Sequence, residues 1–378
     1  MSWQSKRLDE LGSVSRGRSR HRPRDATHLY GGLHPFIQTG DVKHAGLYIT
    51  NYTQTYSDAG LEQSKLWPVG TLCITIAANI ADTAILAIDA CFPDSIIGFK
   101  ADQQQADARF VKYLFDATIK RRAQQFSQGA TQDNLSQAKL LSLEFNVPRI
   151  NEQIRIADIL SSYDDLIENN RRRMALLEDS ARLLYNEWFV RLRFPGYEHT
   201  RIVDGVPEGW ERTPLENALV LQRGFDLPKQ DRQDGTVPIY GSTGILGYHD
   251  KVKASAPGVV TGRSGTLGEV QYVADDYWPL NTSLWVKEFK RVTPLFALFL
   301  LREMDLKQYN GGASVPTLDR KSVHRIEILI PSKLLLHSFD EFAVDVFAQI
   351  KNLNTQIQKL QAARDLLLPR LMSGEIAV

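Results

Sequence analysis

Residues 129–148 read GATQDNLSQAKLLSLEFNVP, and residues 312–331 read GASVPTLDRKSVHRIEILIP. Laid over each other without a gap, at an offset of 183, they pair Gly129 with Gly312, Leu135 with Leu318, Glu144 with Glu327 and Pro148 with Pro331. The same offset goes on to pair Ile167 with Ile350, Asn169 with Asn352, Leu177 with Leu360, Leu183 with Leu366 and Leu184 with Leu367. Further upstream, WQSKRLDELGSVSRG from Trp3 matches WERTPLENALVLQRG from Trp210 at an offset of 207, pairing Leu8 with Leu215, Arg16 with Arg223 and Gly17 with Gly224. A chain built this way folds as two copies of one plan. Each copy has a Trp-led start, a globe, a Gly-led loop, an apolar strand ending in Pro, and then a helix. The two globes differ in length by 24 residues, and their middles barely resemble each other. The frame is duplicated and the contents have diverged. The expected boundaries are 1–150 for the first globe, 151–195 for the first long helix, 196–332 for the second globe and 333–378 for the second helix.

Both helices carry one apolar seam with steps of 4 and 3. In the first it runs Ile156, Leu160, Tyr163, Ile167, Asn170, Met174, Leu177, Ala181, Leu184, Trp188. In the second it runs Phe339, Ala343, Val346, Ile350, Leu353, Ile357, Leu360, Arg364, Leu367, Leu371. A period of 3.5 residues is the mark of a coiled coil, and Asn170 is the kind of polar seam residue that fixes register. Helices of roughly 40 residues are about 60 Å long. One such helix per copy predicts that the two pair with each other as an antiparallel coiled coil, a spacer in an internal pseudo-two-fold repeat. Arg364 and Pro369 disturb the second seam late and predict a frayed or splayed final turn.

The globes read as α+β. Residues 69–98 are Ile-, Ala- and Thr-rich with turn residues between, and VPIYGSTGILGYH, APGVVTGRSGTLGEVQYV and YWPLNTSLWV read as strand–turn–strand segments. Helical patterns at 107–126 and 293–309 each precede the repeated sentence. The Gly-rich GSTGILG (241–247) lacks the Lys-Ser/Thr of a phosphate-binding P-loop, so it reads as a hairpin turn that lets backbone approach a ligand.

Net charge is +1, and by segment it is +3 over 1–150, −2 over 151–200 and zero over 201–332. Any nucleic-acid surface must therefore be a local face. Two cysteines, Cys73 and Cys91, make neither a disulfide framework nor a metal cluster. No stretch is long and clean enough to span a bilayer, and MSWQSKRLDELG lacks the apolar run of a signal peptide. A cytoplasmic protein is expected. There is no H-E-x-x-H, G-x-S-x-G or P-loop motif, and no Pro-Pro pair for an adenine methyltransferase motif. Recognition is the better reading.

Candidate DNA contacts follow from residue type and turn placement. Arg side chains suit guanine and phosphate, and Asn or Gln side chains suit adenine. The first globe offers Arg16, Arg18, Arg20 and Arg22 in an arginine-rich arm, then Gln38, Thr39 and Lys43, with Gln132 and Asn134 in the repeated loop. The second offers Arg223, Tyr240, Ser242, Thr243, Arg263, Ser264, Asn281, Thr282 and Ser314. Two other readings stay open on the residues alone: a stand-alone DNA methyltransferase or nuclease, and a coiled-coil scaffold whose globes bind protein.

The repeated Gly-Ala-[ST]-x-x-x-Leu loop with its strand and Pro resembles the specificity subunit of type I restriction–modification systems. So do the helix NEQIRIADILSSYDDLIENNRRRMALLEDSARLLYNEWFV (151–190), the segment GVPEGWE (205–211) and the stretches PFIQTGDV, PIYGSTGILGYH and VVTGRSGTLGEV. The resemblance covers nearly the whole chain. It implies two target recognition domains, each reading half of a split site in double-stranded DNA, with a helix pair that sets the gap. It implies a non-catalytic chain with no cofactor of its own. Two methyltransferase subunits would bring S-adenosylmethionine, and two restriction subunits would bring ATP and magnesium.

Overall fold

The computed structural model describes residues 3–77, 80–120, 136–312 and 314–378. The offsets seen in the sequence return as hydrogen-bond register. The opening strand Gln4–Arg7 pairs antiparallel with Glu144–Val147, Gln4 opposite Val147. In the second copy Glu211–Pro214 pairs with Glu327–Ile330, Glu211 opposite Ile330. Leu8 and Leu215, which follow the opening strands, are both fully buried. Gly17 and Gly224 sit where no side chain fits. A Cβ on Gly17 would lie 2.3 and 2.4 Å from the Pro93 and Phe92 carbonyls, and one on Gly224 would lie 2.1 and 2.5 Å from those of Leu280 and Pro279.

Although the middles diverge in sequence, they share a core of strand pairing, to which the first globe adds Tyr48–Ile49 in its larger sheet and Leu66–Trp67 in its smaller one. The larger sheet of the first globe runs Gly12–Arg16, Ile96–Ala101, Leu72–Thr75, Thr83–Leu86, Tyr48–Ile49. That of the second runs Leu219–Arg223, Ser283–Phe289, Gly258–Gly262, Val270–Val273. In each globe a smaller sheet holds one antiparallel hairpin and one short parallel strand: Tyr30–Phe36 with Gln54–Tyr56 and Ala90–Cys91, and Val237–Gly241 with Gly244–His249 and Trp278–Pro279. Leu72–Thr75, Thr83–Leu86 and Gly258–Gly262 are buried along their whole length, so they ask only for small or apolar strand-forming residues, which many sequences supply. Much of the length difference lies at the hairpin. Phe36 faces Gln54 across a connection that holds the helix Thr39–His44 and the strand Tyr48–Ile49. In the second globe Gly241 faces Gly244, leaving only Ser242 and Thr243 to turn the chain.

The expected helix before each repeated sentence is present. Ala108–Phe115 is capped by Asp107, whose side chain accepts from the Arg109 and Phe110 amides. Pro294–Glu303 is capped by Thr293, which accepts from the Phe296 amide. The long helices span Ile150–Tyr185, continued as a π-helical turn Asn186–Val190, and Lys333–Met372. Every position of both 3.5-residue seams is buried or half-buried. The expected fraying at Arg364 and Pro369 does not occur. The helix continues to Met372, with Leu371 and Met372 buried and the Ser373 amide closing onto the Pro369 carbonyl at 3.0 Å.

The chain divides into two compact units, residues 1–171 with 355–378, and residues 172–354. In the first, Ile156 and Leu160 share a core with Leu8, Phe110, Leu367 and Leu371, and Asn170 Nδ2 donates to Gln356 Oε1 at 3.3 Å. In the second, Leu177, Ala181 and Leu184 share a core with Phe296, Phe339, Val346 and Ile350.

Candidate nucleic-acid interface

In the second unit the repeated sentence and the Gly-rich turns are stitched together. The Arg263 and Ser264 amides donate to the Thr282 carbonyl at 2.9 and 3.1 Å, and Arg263 Nη1 donates to the Asn281 carbonyl at 3.1 Å. The Leu318 amide donates to the Arg263 carbonyl at 2.8 Å, and the Gly265 amide to that of Pro316 at 3.0 Å. Arg223, at its strand end, reaches Asp226 at 3.2 Å, and the Asn281 amide donates to the same carboxylate. The result is a cleft of about 460 Å³ whose walls include Arg223, Arg263, Arg320, Lys321, Thr317 and Asp319. Asp319 caps the short helix Arg320–His324, and the Ser322 hydroxyl and Lys321 amide hold its carboxyl below the usual range. Four cations line the cleft against Asp319, with Arg223 paired to Asp226 beside it, which leaves a net positive charge suited to phosphate.

That helix is fastened from beneath. A bulge between Val220 and Leu221 breaks the ladder, and the freed Leu221 amide donates to His324 Nε2 at 2.9 Å. Burial and the Arg320 charge lower the pKa of this imidazole, which must be neutral to accept. Arg320 and Lys321 are the residues that sequence reasoning missed. The signal for Arg320 was the change from QDNLSQ in the first copy to VPTLDR in the second, and Lys321 follows it directly.

The remaining second-globe candidates fall apart into classes. Ser242 and Thr243 form the hairpin tip, with Thr243 exposed. Tyr240 packs edge-on to Tyr277 at 5.8 Å, and burial pushes its hydroxyl up to about 12. The Thr282 hydroxyl is buried without a partner. Ser314 is exposed and is not among the cleft's lining residues.

In the first unit the arginine arm divides its labour. Arg18 grips the Ser64 carbonyl through Nε at 2.6 Å, and Arg22 Nη1 wraps back on the Ser19 and His21 carbonyls at 2.8 Å. Arg16 and Arg20 are exposed. Gln38 donates to Gln54 across the hairpin at 2.5 Å, while Thr39 begins the short helix Thr39–His44, on which Lys43 is exposed. Gln132 and Asn134 lie outside the described residues. A second cavity, of about 620 Å³, is lined by Tyr48, Lys100, Arg109 and Ile154 among others, and none of the residues named from the sequence borders it. Among the described residues no cluster of His, Cys, Asp and Glu could hold a metal, and no helix is long and apolar enough to cross a membrane. Cys73 and Cys91 are free and buried.

Two globes of one topology, each with its own loop chemistry and each joined to a long seam-bearing helix, define a class of duplicated recognition protein. The chain belongs to the type I restriction–modification DNA specificity domain family, whose model matches residues 1–179 and 207–361. Its role is therefore DNA sequence specificity within such a system. It is similar over its whole length, at 24% identity, to the MjaIX specificity subunit of Methanocaldococcus jannaschii, covering 94% of that protein. It is 22% identical to the HindI specificity subunit of Haemophilus influenzae, over 66% of this chain and 72% of that one. The fold matches the crystal structure of a type I S subunit from M. genitalium with a TM-score of 0.60, at 17% identity, covering 98% of this chain and 96% of that one.

Proposed function

We propose that each globe reads one half of a split, asymmetric DNA site, and that the two long helices pair as an antiparallel coiled coil that sets the unread gap. The observation that carries this reading is the contrast between shared strand register and different hairpin tips. A frame kept twice, with different side chains at matching tips, suits two half-sites of different sequence. In the second globe, Arg223, Arg263, Arg320 and Lys321 neutralise phosphates, and Ser242, Thr243 and Asn281 lie nearest the bases. In the first, Arg16, Arg20 and Lys43 take phosphates, and Gln38 and Thr39 face base edges. The pairing of the helices is supported by contacts inside each unit: Asp164 with Arg364 and Asn170 with Gln356, numbers rising on one helix as they fall on the other. A pseudo-two-fold axis would relate the copies.

The chain itself performs no chemistry in this reading and works in the cytoplasm. Two methyltransferase subunits dock on the helices and bring S-adenosylmethionine. They act on an adenine rotated out of the duplex, because a stacked base is out of reach. Two restriction subunits bring ATP and magnesium. The test is a genome-wide map of N6-methyladenine in cells with this chain and its methyltransferase, against cells lacking this chain. A split motif with a fixed gap, lost with the chain, is expected; an unchanged map refutes the reading. Exchanging residues 1–150 for those of a relative should alter one half of the motif, and a change in both halves would contradict modular reading.

A further inference from the structure

Inside the first unit, polar side chains from three elements meet. Tyr113, on the globe helix Ala108–Phe115, donates its hydroxyl to Asp164 Oδ2 at 2.5 Å. Arg364, on the second long helix, donates Nη1 to Asp164 Oδ1 and holds Asp365 through Nε at 3.0 Å. The Asp164 side chain is 8% exposed and that of Arg364 25%. Taking both charges out of water costs about as much as their attraction returns, and apolar residues packed in the same space usually serve stability as well or better.

The second unit displays the apolar solution. Residue 347, which lies 183 positions after Asp164, is Phe, and residue 181, which lies 183 before Arg364, is Ala. The helix caps Asp107 and Thr293 bring Phe299 to the place of Tyr113. Phe299 meets Phe347 edge-on at 6.1 Å, and Ala181 is fully buried. The plan therefore accepts Phe, Phe and Ala where the first unit has Tyr, Asp and Arg. What the polar set adds is uniqueness. An apolar seam slid by one heptad meets equivalent partners, whereas a charge buried opposite its counter-charge has one position. Asn170 with Gln356 makes a second polar rung, and the place of Asn170 is taken in the second copy by buried Leu353.

We propose that Tyr113, Asp164 and Arg364 are positioning residues for DNA specificity: they lock the axial register of the helix pair and tie the first globe to it, so that one gap length is read. This rests on the helices being the ruler, as proposed above. The test is a variant with the second unit's residues, Tyr113→Phe, Asp164→Phe and Arg364→Ala, expressed with the methyltransferase and mapped for methyladenine. Both half-site sequences should stay unchanged while a second gap length appears. A one-heptad slip is about 10 Å, or about three base-pair steps. The original single gap at undiminished occupancy overturns the proposal. If the variant methylates nothing, the reversed pair Asp164→Arg with Arg364→Asp decides. Return of the original single gap supports the lock, and failure to return it overturns the lock. A four-residue insertion within 163–170 of the otherwise native chain separates the two claims. A changed gap there keeps the ruler whatever the triad does, and an unaltered gap removes the ruler itself.

Discussion

Where globe helix and long helices meet, the first unit places Tyr113, Asp164 and Arg364, and the second places a cluster of rings. Tyr185 lies 5.4 Å from Phe296, 5.5 Å from Phe299 and 6.0 Å from Phe339, and Phe189 lies 4.9 Å from Phe296. One backbone plan thus has two unlike interiors. Side chains can be exchanged wherever volume and partners can be exchanged together. Where backbone touches backbone they cannot, and there both copies keep Gly17 and Gly224.

The sharpest break in the comparison comes from removing one charge. Arg364→Ala should leave Asp164 buried without its counter-charge and cost about 3–5 kcal/mol in chemical denaturation. Adding Asp164→Phe to that variant should recover most of the loss, because the pair is then as apolar as Ala181 with Phe347. Strict additivity of the two changes would show that the ion pair is not a unit. Sameness can be tested next. Gly17→Ala and Gly224→Ala should each lower stability by about 1–3 kcal/mol, since the added methyl meets carbonyl oxygen in both globes. A large effect in one copy and none in the other would break the shared frame.

The cleft gives a smaller, one-sided effect. Arg320→Ala with Lys321→Ala should weaken DNA binding across all sequences and reduce the salt slope by about 2. The corresponding residues of the first copy, Gln137 and Ala138, carry no charge, so changing them should leave the slope alone. The smallest effect is one of pH. His324 has its folded pKa lowered below 6.5, so above that value both folded and unfolded forms are neutral and the full stability is present. As pH falls below 6.5 the unfolded chain takes up the proton first, and the second unit loses stability. The protection of the Leu221 amide, taken relative to the intrinsic exchange rate at each pH, should fall in that window. No such change is expected near Leu141, which holds the matching place in the first copy.

Much of this was legible in the sequence because repetition and period survive without knowledge of contacts. The offsets 183 and 207 gave the duplicated plan, to which the matching strand registers of the two copies conform, and the 4-3 spacing gave the buried stripes of both helices. The shared strand core of the middles was hidden, because strands buried along their whole length ask for apolar character and leave the particular residues free. Arg18 and Arg22 stand alike in a string of arginines, yet Arg18 holds the Ser64 carbonyl, 46 residues on, and Arg22 the arm's own Ser19 and His21 carbonyls, partners that only the fold supplies. Arg364 looked like a flaw in a seam until its partner, 200 residues away, was in view. Arg320 and Lys321 were similarly obscured, since a short helix after a Gly loop reveals its charge only when a cleft collects it.

The first unit is finished by residues 355–378, with Leu371 and Met372 set in the same core as Leu8 and Phe110. On the ribosome, the whole of residues 172–354 is made between that globe and the segment that closes it. The globe translated first is completed after the globe translated second, reversing the usual N-to-C order of domain folding. A chain broken anywhere in between lacks Leu371 and Met372, and the apolar surface of the leading globe that they cover stays open.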